Sequence, residues 1–109
     1  MARPPKDLDA AVDLGRRLTT LRQAISPPPS FARIVVGVLV AANVDISIEQ
    51  VRRFHYGQVD PHHASPEHLV GLATFYGVSV DDLGPAVGGR LNDLDRLIRT
   101  GSSQEAVAA

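Results

Sequence analysis

Ser47-Ile48-Glu49-Gln50-Val51-Arg52-Arg53-Phe54-His55-Tyr56-Gly57 is the stretch on which the reading of this chain turns. Serine followed three residues later by glutamine is a capping box, in which each side chain satisfies a backbone N–H of the other. A short helix is therefore predicted from Ile48 to near Tyr56, closed by Gly57. Val51 and Phe54 are three apart and share one face, which must be the buried one. Glu49, Arg52, Arg53 and Tyr56 are left on the other. A helix this short, with so polar an outer face, is held by its neighbours and presents that face to something.

Working outward, the pattern stays helical. From Asp7, a plausible N-cap, Leu8, Val12 or Ala11, Leu14, Leu18, Leu21 and Ile25 recur close to a 3.6-residue period. Pro27-Pro28-Pro29 ends that helix, because proline lacks a donor and restricts its predecessor. Ser30 caps a second helix to about Ala42, with Phe31, Ile34, Val35, Val38 and Leu39 on its core face. Val36 and Val40 make it apolar on more than one side, so it is central or covers a partner. Asn43 stops it. Residues 58–64 form a loop. Ser65-Pro66 opens a fourth helix with Leu69, Leu72, Ala73 and Tyr76 as its stripe, stopped by Gly77. Ser79 caps a short fifth helix ending at Gly84-Pro85. Leu91, Leu94, Leu97 and Ile98 mark a last amphipathic piece, roughly Val87 to Arg99. There is no strand-type alternation and no repeat. The fold class is all-α: a basic arm over 1–6, a helical domain over 7–84, a C-terminal helix over 85–100, and a tail over 101–109 whose composition reads as disordered.

Composition narrows the function. At 109 residues one domain is expected. There is no cysteine, which removes disulfides and thiolate metal sites. No apolar run reaches the roughly 18 residues of a membrane span, and no apolar leader is present, so a cytoplasmic location is expected. The net charge is −1. Its distribution is uneven: residues 1–53 carry eight Lys/Arg and five Asp/Glu, residues 54–109 three and seven. Such asymmetry fits one face for an anion and another for something else. No nucleophile elbow or phosphate-loop glycine pattern occurs, so no enzyme is expected and no cofactor. Asp81-Asp82 reads as first-turn acids after Ser79. His62, His63 and His68 fall near Asp60, but adjacent histidines seldom face one centre, so no metal is expected.

A helix about 10–12 Å across fits the major groove, where the first turns read base edges. Ser47, Ile48, Glu49, Arg52 and Arg53 occupy those turns. Arginine bonds guanine bidentately, glutamate accepts from cytosine, and an apolar side chain meets the thymine methyl. The bland reading is that adjacent arginines are solvated and Glu49 serves the helix dipole. Ser30, Arg33, Tyr56, Gln58, His62 and His63 are the candidates for phosphate.

Leu14-Gly15-Arg16-Arg17-Leu18-Thr19-Thr20-Leu21-Arg22, then Ser47 to Gly57, then Ser65-Pro66-Glu67-His68-Leu69 through Leu83, together resemble the Cro/xenobiotic-response-element (XRE) repressor-like helix-turn-helix family. The resemblance covers about residues 13–84. The longer loops and extra C-terminal helix are more similar to its nucleoid regulators than to its compact phage repressors. Three prolines after the first helix and His55, where many members have glutamate, depart from the pattern. The resemblance implies a five-helix, lambda-repressor-like domain and a transcription regulator of bacterial or phage origin, acting on double-stranded DNA at the nucleoid. Members usually bind as dimers to half-sites one helical turn apart. Leu91, Leu94, Leu97 and Ile98 would then either pair across a two-fold axis or fold back on their own domain. The alternative is a protein-binding module on the same fold, an antitoxin or anti-repressor.

Overall fold

The computed structural model describes residues 7–93. The expected disposition of the 1–6 arm and the 101–109 tail, and the roles given to Leu94, Leu97 and Ile98, fall outside that range. Helix α1 spans Leu8–Gln23, α2 Phe31–Ala42, α3 Ile48–His55 and α4 Pro66–Tyr76. A 3₁₀ turn follows at Val80–Leu83. A last helix, α5, begins at residue 85 and is described to residue 93. Among the described residues there is no strand, and no helix is long and apolar enough to cross a membrane. The fold is all-α.

The caps are local and chemical. The Asp7 carboxylate accepts from the Ala10 N–H, and the Ser30 hydroxyl from the Arg33 N–H. Asn43 closes α2 in the left-handed region at φ 55°, where asparagine is better tolerated than most residues. Ser65 stands at the N-cap of α4, but its side chain makes no cap bond, and its carbonyl alone starts the ladder. At the 3₁₀ turn the Asp82 carboxylate accepts from both the N–H and the hydroxyl of Ser79. This role accounts for Asp82 as a first-turn acid.

The helices meet around Leu14, Leu18, Ile34, Val38, Val51, Phe54, Leu69 and Leu72. Packing is most extensive between α2 and α4, and two glycines make it possible. A Cβ on Gly37 would run into the Phe75 ring, and one on Gly71 would lie 2.8 Å from Val38 Cγ1. Two details of the predicted faces change. In α1 the buried position is Ala11, while Val12 is 49% exposed. The polar side chains around it do not distinguish a one-residue rotation of the stripe. In α2 only Ile34 and Val38 are fully buried, and Leu39 is 46% exposed.

Helix α5 belongs to the same core. Val87 and Leu91 are buried in it. Arg90 donates to the carbonyls of Pro61 (2.6 Å) and Ala64 (2.7 Å), fastening α5 to the loop before α4. Leu91, assigned by the sequence to a dimer contact or to its own domain, takes the second place.

Candidate nucleic-acid interface

Helix α3 has eight residues, about 12 Å of rise, too short to persist alone. Its N-terminus is held by the capping box. The Ser47 hydroxyl accepts from Gln50 N–H at 3.1 Å, and Gln50 Oε1 accepts from Ser47 N–H at 2.9 Å. Its inner face is Val51 and Phe54, both essentially inaccessible, with the His68 ring edge-on to Phe54.

The C-terminal end is clamped between α1 and α4. Thr19 of α1 donates its hydroxyl to the His55 carbonyl at 3.0 Å. Gly57 turns at φ 72° directly against α1, and a Cβ on Gly15 would lie 2.5 Å from its nitrogen. Any side chain at Gly15 would push the two elements apart.

His55 is 5% exposed and points into the clamp. Its Nδ1 lies 2.7 Å from the Val51 carbonyl and its Nε2 2.7 Å from the Tyr76 hydroxyl. The carbonyl only accepts, so Nδ1 carries the proton and Nε2 accepts from Tyr76. Burial holds the His55 pKa below 6.5; the Val51 carbonyl opposes that shift and the charge of Arg22 adds to it. Burial likewise raises the Tyr76 hydroxyl, against the Arg22 charge. His55 therefore packs the end of the helix.

With three sides fixed, one is left outward. Ser47, Ile48, Glu49, Arg52, Arg53 and Tyr56 are all exposed. Every residue nominated for base reading is therefore accessible on one helix face or at its cap. Two of them differ in readiness. Arg52 is paired with Glu49 one turn back. Arg53 forms no ion pair among the described residues. It lines a cleft of about 560 Å³ between α3 and the following loop, together with Gln50, Gln58, His63, Ser65 and His68.

The loop histidines are less free than their sequence implies. Asp60 is buried, and its carboxylate accepts from the N–H groups of Asp7 (2.9 Å) and His62 (2.9 Å). Burial alone would raise its pKa; those two bonds and the charges of His62 and His63 outweigh it and hold the carboxyl below its usual value. His62 Nε2 lies 3.3 Å from an Asp7 oxygen, and His63 Nε2 lies 3.9 Å from Asp60. An acid thus stands beside each. Arg33 is on the far side of α2, in a separate groove with Ile25, Val36 and Val40. The phosphate set is therefore split: Gln58 and His63 join Arg53, while His62 and Arg33 do not. Tyr56 is exposed but lines a different groove, with Arg16, Thr20 and Gln23 of α1, and Ser30 spends its hydroxyl oxygen on the α2 cap.

Three contacts escaped the sequence reading: the His55–Tyr76 bond, the Asp60 bracket and the Arg90 fastening. Each includes a bond between residues 21 or more apart, and only His55 carried a signal, standing where glutamate is common in the resembled family. Among the described residues no group of three or more His, Cys, Asp or Glu is arranged to hold a metal. Comparison of the chain with protein-family models, curated proteins and solved structures gives no match.

Proposed function

We propose that the chain is a sequence-specific regulator of transcription that binds double-stranded DNA, with α3 lying in the major groove. The observation that carries this reading is the division of α3: Val51, Phe54 and His55 are buried, while Ile48, Glu49, Arg52 and Arg53 all face out. A rigid helix with donors, an acceptor and a methyl-bearing side chain on one face has the chemistry that base edges require. Arg53, with no acid to leave among the described residues, is the first candidate for guanine. Arg52 exchanges Glu49 for a base at small cost, because an exposed ion pair contributes only about 0–1 kcal/mol. Gln58, His63 and Tyr56 are the phosphate candidates, and the basic half of the chain supplies the long-range attraction. The protein would act at the nucleoid, in the cytoplasm, as a homodimer on paired half-sites. No catalytic step is assigned.

Fluorescence anisotropy with a pool of genomic duplex fragments at two salt concentrations tests this. The expected result is salt-dependent binding, enriched in particular fragments and lost in a folded Arg52→Ala/Arg53→Ala variant. Absence of binding at low salt overturns the reading, since the electrostatic attraction acts even without the right sequence. The second reading, a protein-binding module, has one observation in its favour: Val36 and Val40 expose a large part of α2 that is apolar.

A further inference from the structure

We infer that the outer face of α2 is a contact with a second copy of this chain, packed antiparallel across a two-fold axis. Val40 is 81% exposed, Val36 59%, Leu39 46% and nearby Ile25 40%. Contiguous exposed apolar side chains of this kind mark interaction sites. Val36 and Val40 line a groove of about 670 Å³, together with Ile25, Pro27, Ala32 and Phe75. A two-fold axis sets this apolar surface of each copy against that of the other, which is the self-complementarity that a symmetric dimer needs.

Charge selects the occupant. Among the described residues, Arg33 is the one charged residue lining the groove. A nucleic acid would meet a single cation there, and a strongly charged peptide would lose its solvation against valines. Helix α2 also has no acid in its first turn and no base in its last. Both ends of its dipole are therefore left without the side chains that usually offset them. An antiparallel copy offsets the C-terminal end of each helix. Crossing near Val36 and Gly37 sets Arg33 opposite the partner's last turn, beside the carbonyls that have no intrahelical donor. The burial of Leu91 in its own domain removes one residue of the alternative contact through the C-terminal helix.

The test uses the full chain and contains no DNA, so its failure is separate from any failure of the DNA-binding reading. Sedimentation and light scattering from micromolar to millimolar concentration should show the mass rising from 11.6 kDa toward twice that value. The Val36→Asp/Val40→Asp variant, its helicity unchanged by circular dichroism, should weaken association by about 100-fold or more, because two carboxylates per copy would enter the contact. The chain has no cysteine, so single-cysteine variants report position cleanly. Val36→Cys should oxidise to a covalent dimer, and Glu49→Cys on α3 should not. A monomer at every concentration overturns the inference. So does a dimer untouched by the double aspartate variant, or one that is trapped by Glu49→Cys and not by Val36→Cys.

Discussion

Helices α2 and α3 share one core and turn opposite chemistry to the outside. Both are capped by a serine hydroxyl, and both seat apolar residues against the same neighbours, Ile34 and Val38 from one, Val51 and Phe54 from the other. Outward, α3 shows Glu49, Arg52 and Arg53, while α2 shows Val36, Leu39 and Val40. The inner faces are fixed by packing. The outer faces are not, and they differ: polar and charged on α3, apolar on α2. Long polar side chains on α3 stay hydrated until a partner replaces the water. Valines on α2 gain nothing from water and are stabilised only by being covered.

The comparison breaks most severely where the two helices are joined. Phe54 is 2% exposed and lies in the cluster that also holds Ile34 and Val38. Phe54→Ala should cost about 3–5 kcal/mol of stability, since an aromatic cavity in this core has little room to collapse. That is a large share of the roughly 5–15 kcal/mol that holds a domain of this size. Urea unfolding measures it. DNA binding and self-association should fail together in this variant. A loss below about 1 kcal/mol would mean that α3 is not seated as described.

Surface changes on α3 should separate the two functions. Arg53→Ala is expected to weaken specific DNA binding by about 1–3 kcal/mol and to relax base preference at one position. Unfolding should be unchanged, because Arg53 contacts no ion partner among the described residues. Arg52→Ala should cost less, since Arg52 gives up its pair with Glu49 when it meets a base. Glu49→Gln sharpens the contrast by releasing Arg52. Equal weakening on every sequence would reduce both arginines to phosphate contacts.

Much of this was legible in local sequence. The Ser47–Gln50 box, the Ser30 cap and the Asn43 stop are short-range devices, and each has its expected place. Exposure of Glu49, Arg52 and Arg53 followed from the spacing of Val51 and Phe54. What escaped depends on distance along the chain. Asp60 binds Asp7 across 53 residues, and Arg90 reaches carbonyls 26 and 29 residues back. No periodicity encodes such pairs. The choice between Ala11 and Val12 was open for another reason: adjacent apolar residues satisfy the same stripe to within 100°. Arg33, a phosphate candidate in the sequence, lies in the groove with Val36 and Val40. Its helix faces the other way.

The clamp at the end of α3 gives the comparison a pH dependence. His55 is neutral in the fold, and its proton affinity is lowered by burial. The unfolded chain therefore takes up a proton more readily than the folded one. Stability from this site is complete above the ordinary histidine value of 6.5 and is lost as pH falls below it toward the lowered native value. The slope in that window should approach about 1.4 kcal/mol per pH unit at most, the limit for one proton. Protonated Nε2 can no longer accept from Tyr76, so the C-terminal end of α3 loosens first. Denaturant midpoints measured from pH 7.5 downward (roughly two units) should fall in the wild type and stay flatter in His55→Gln. Identical slopes would remove His55 from the account.

The smallest effect expected is also the sharpest test of the contrast between the faces. Val40 is 81% exposed, so in an isolated chain its methyl groups contribute little to folding. Val40→Lys, measured at dilution, should change unfolding stability by no more than about 0.5 kcal/mol, the range usual for surface substitutions. It exchanges a β-branched residue for a better helix former, which acts slightly in favour of the variant. At high protein concentration the same substitution should lower the melting temperature of the variant relative to the wild type, because only the wild type gains from association. A substitution that is neutral when dilute and costly when concentrated assigns the valines of α2 to a partner. A substitution costly at both concentrations would assign them to the fold, and the two helices would then differ only in composition.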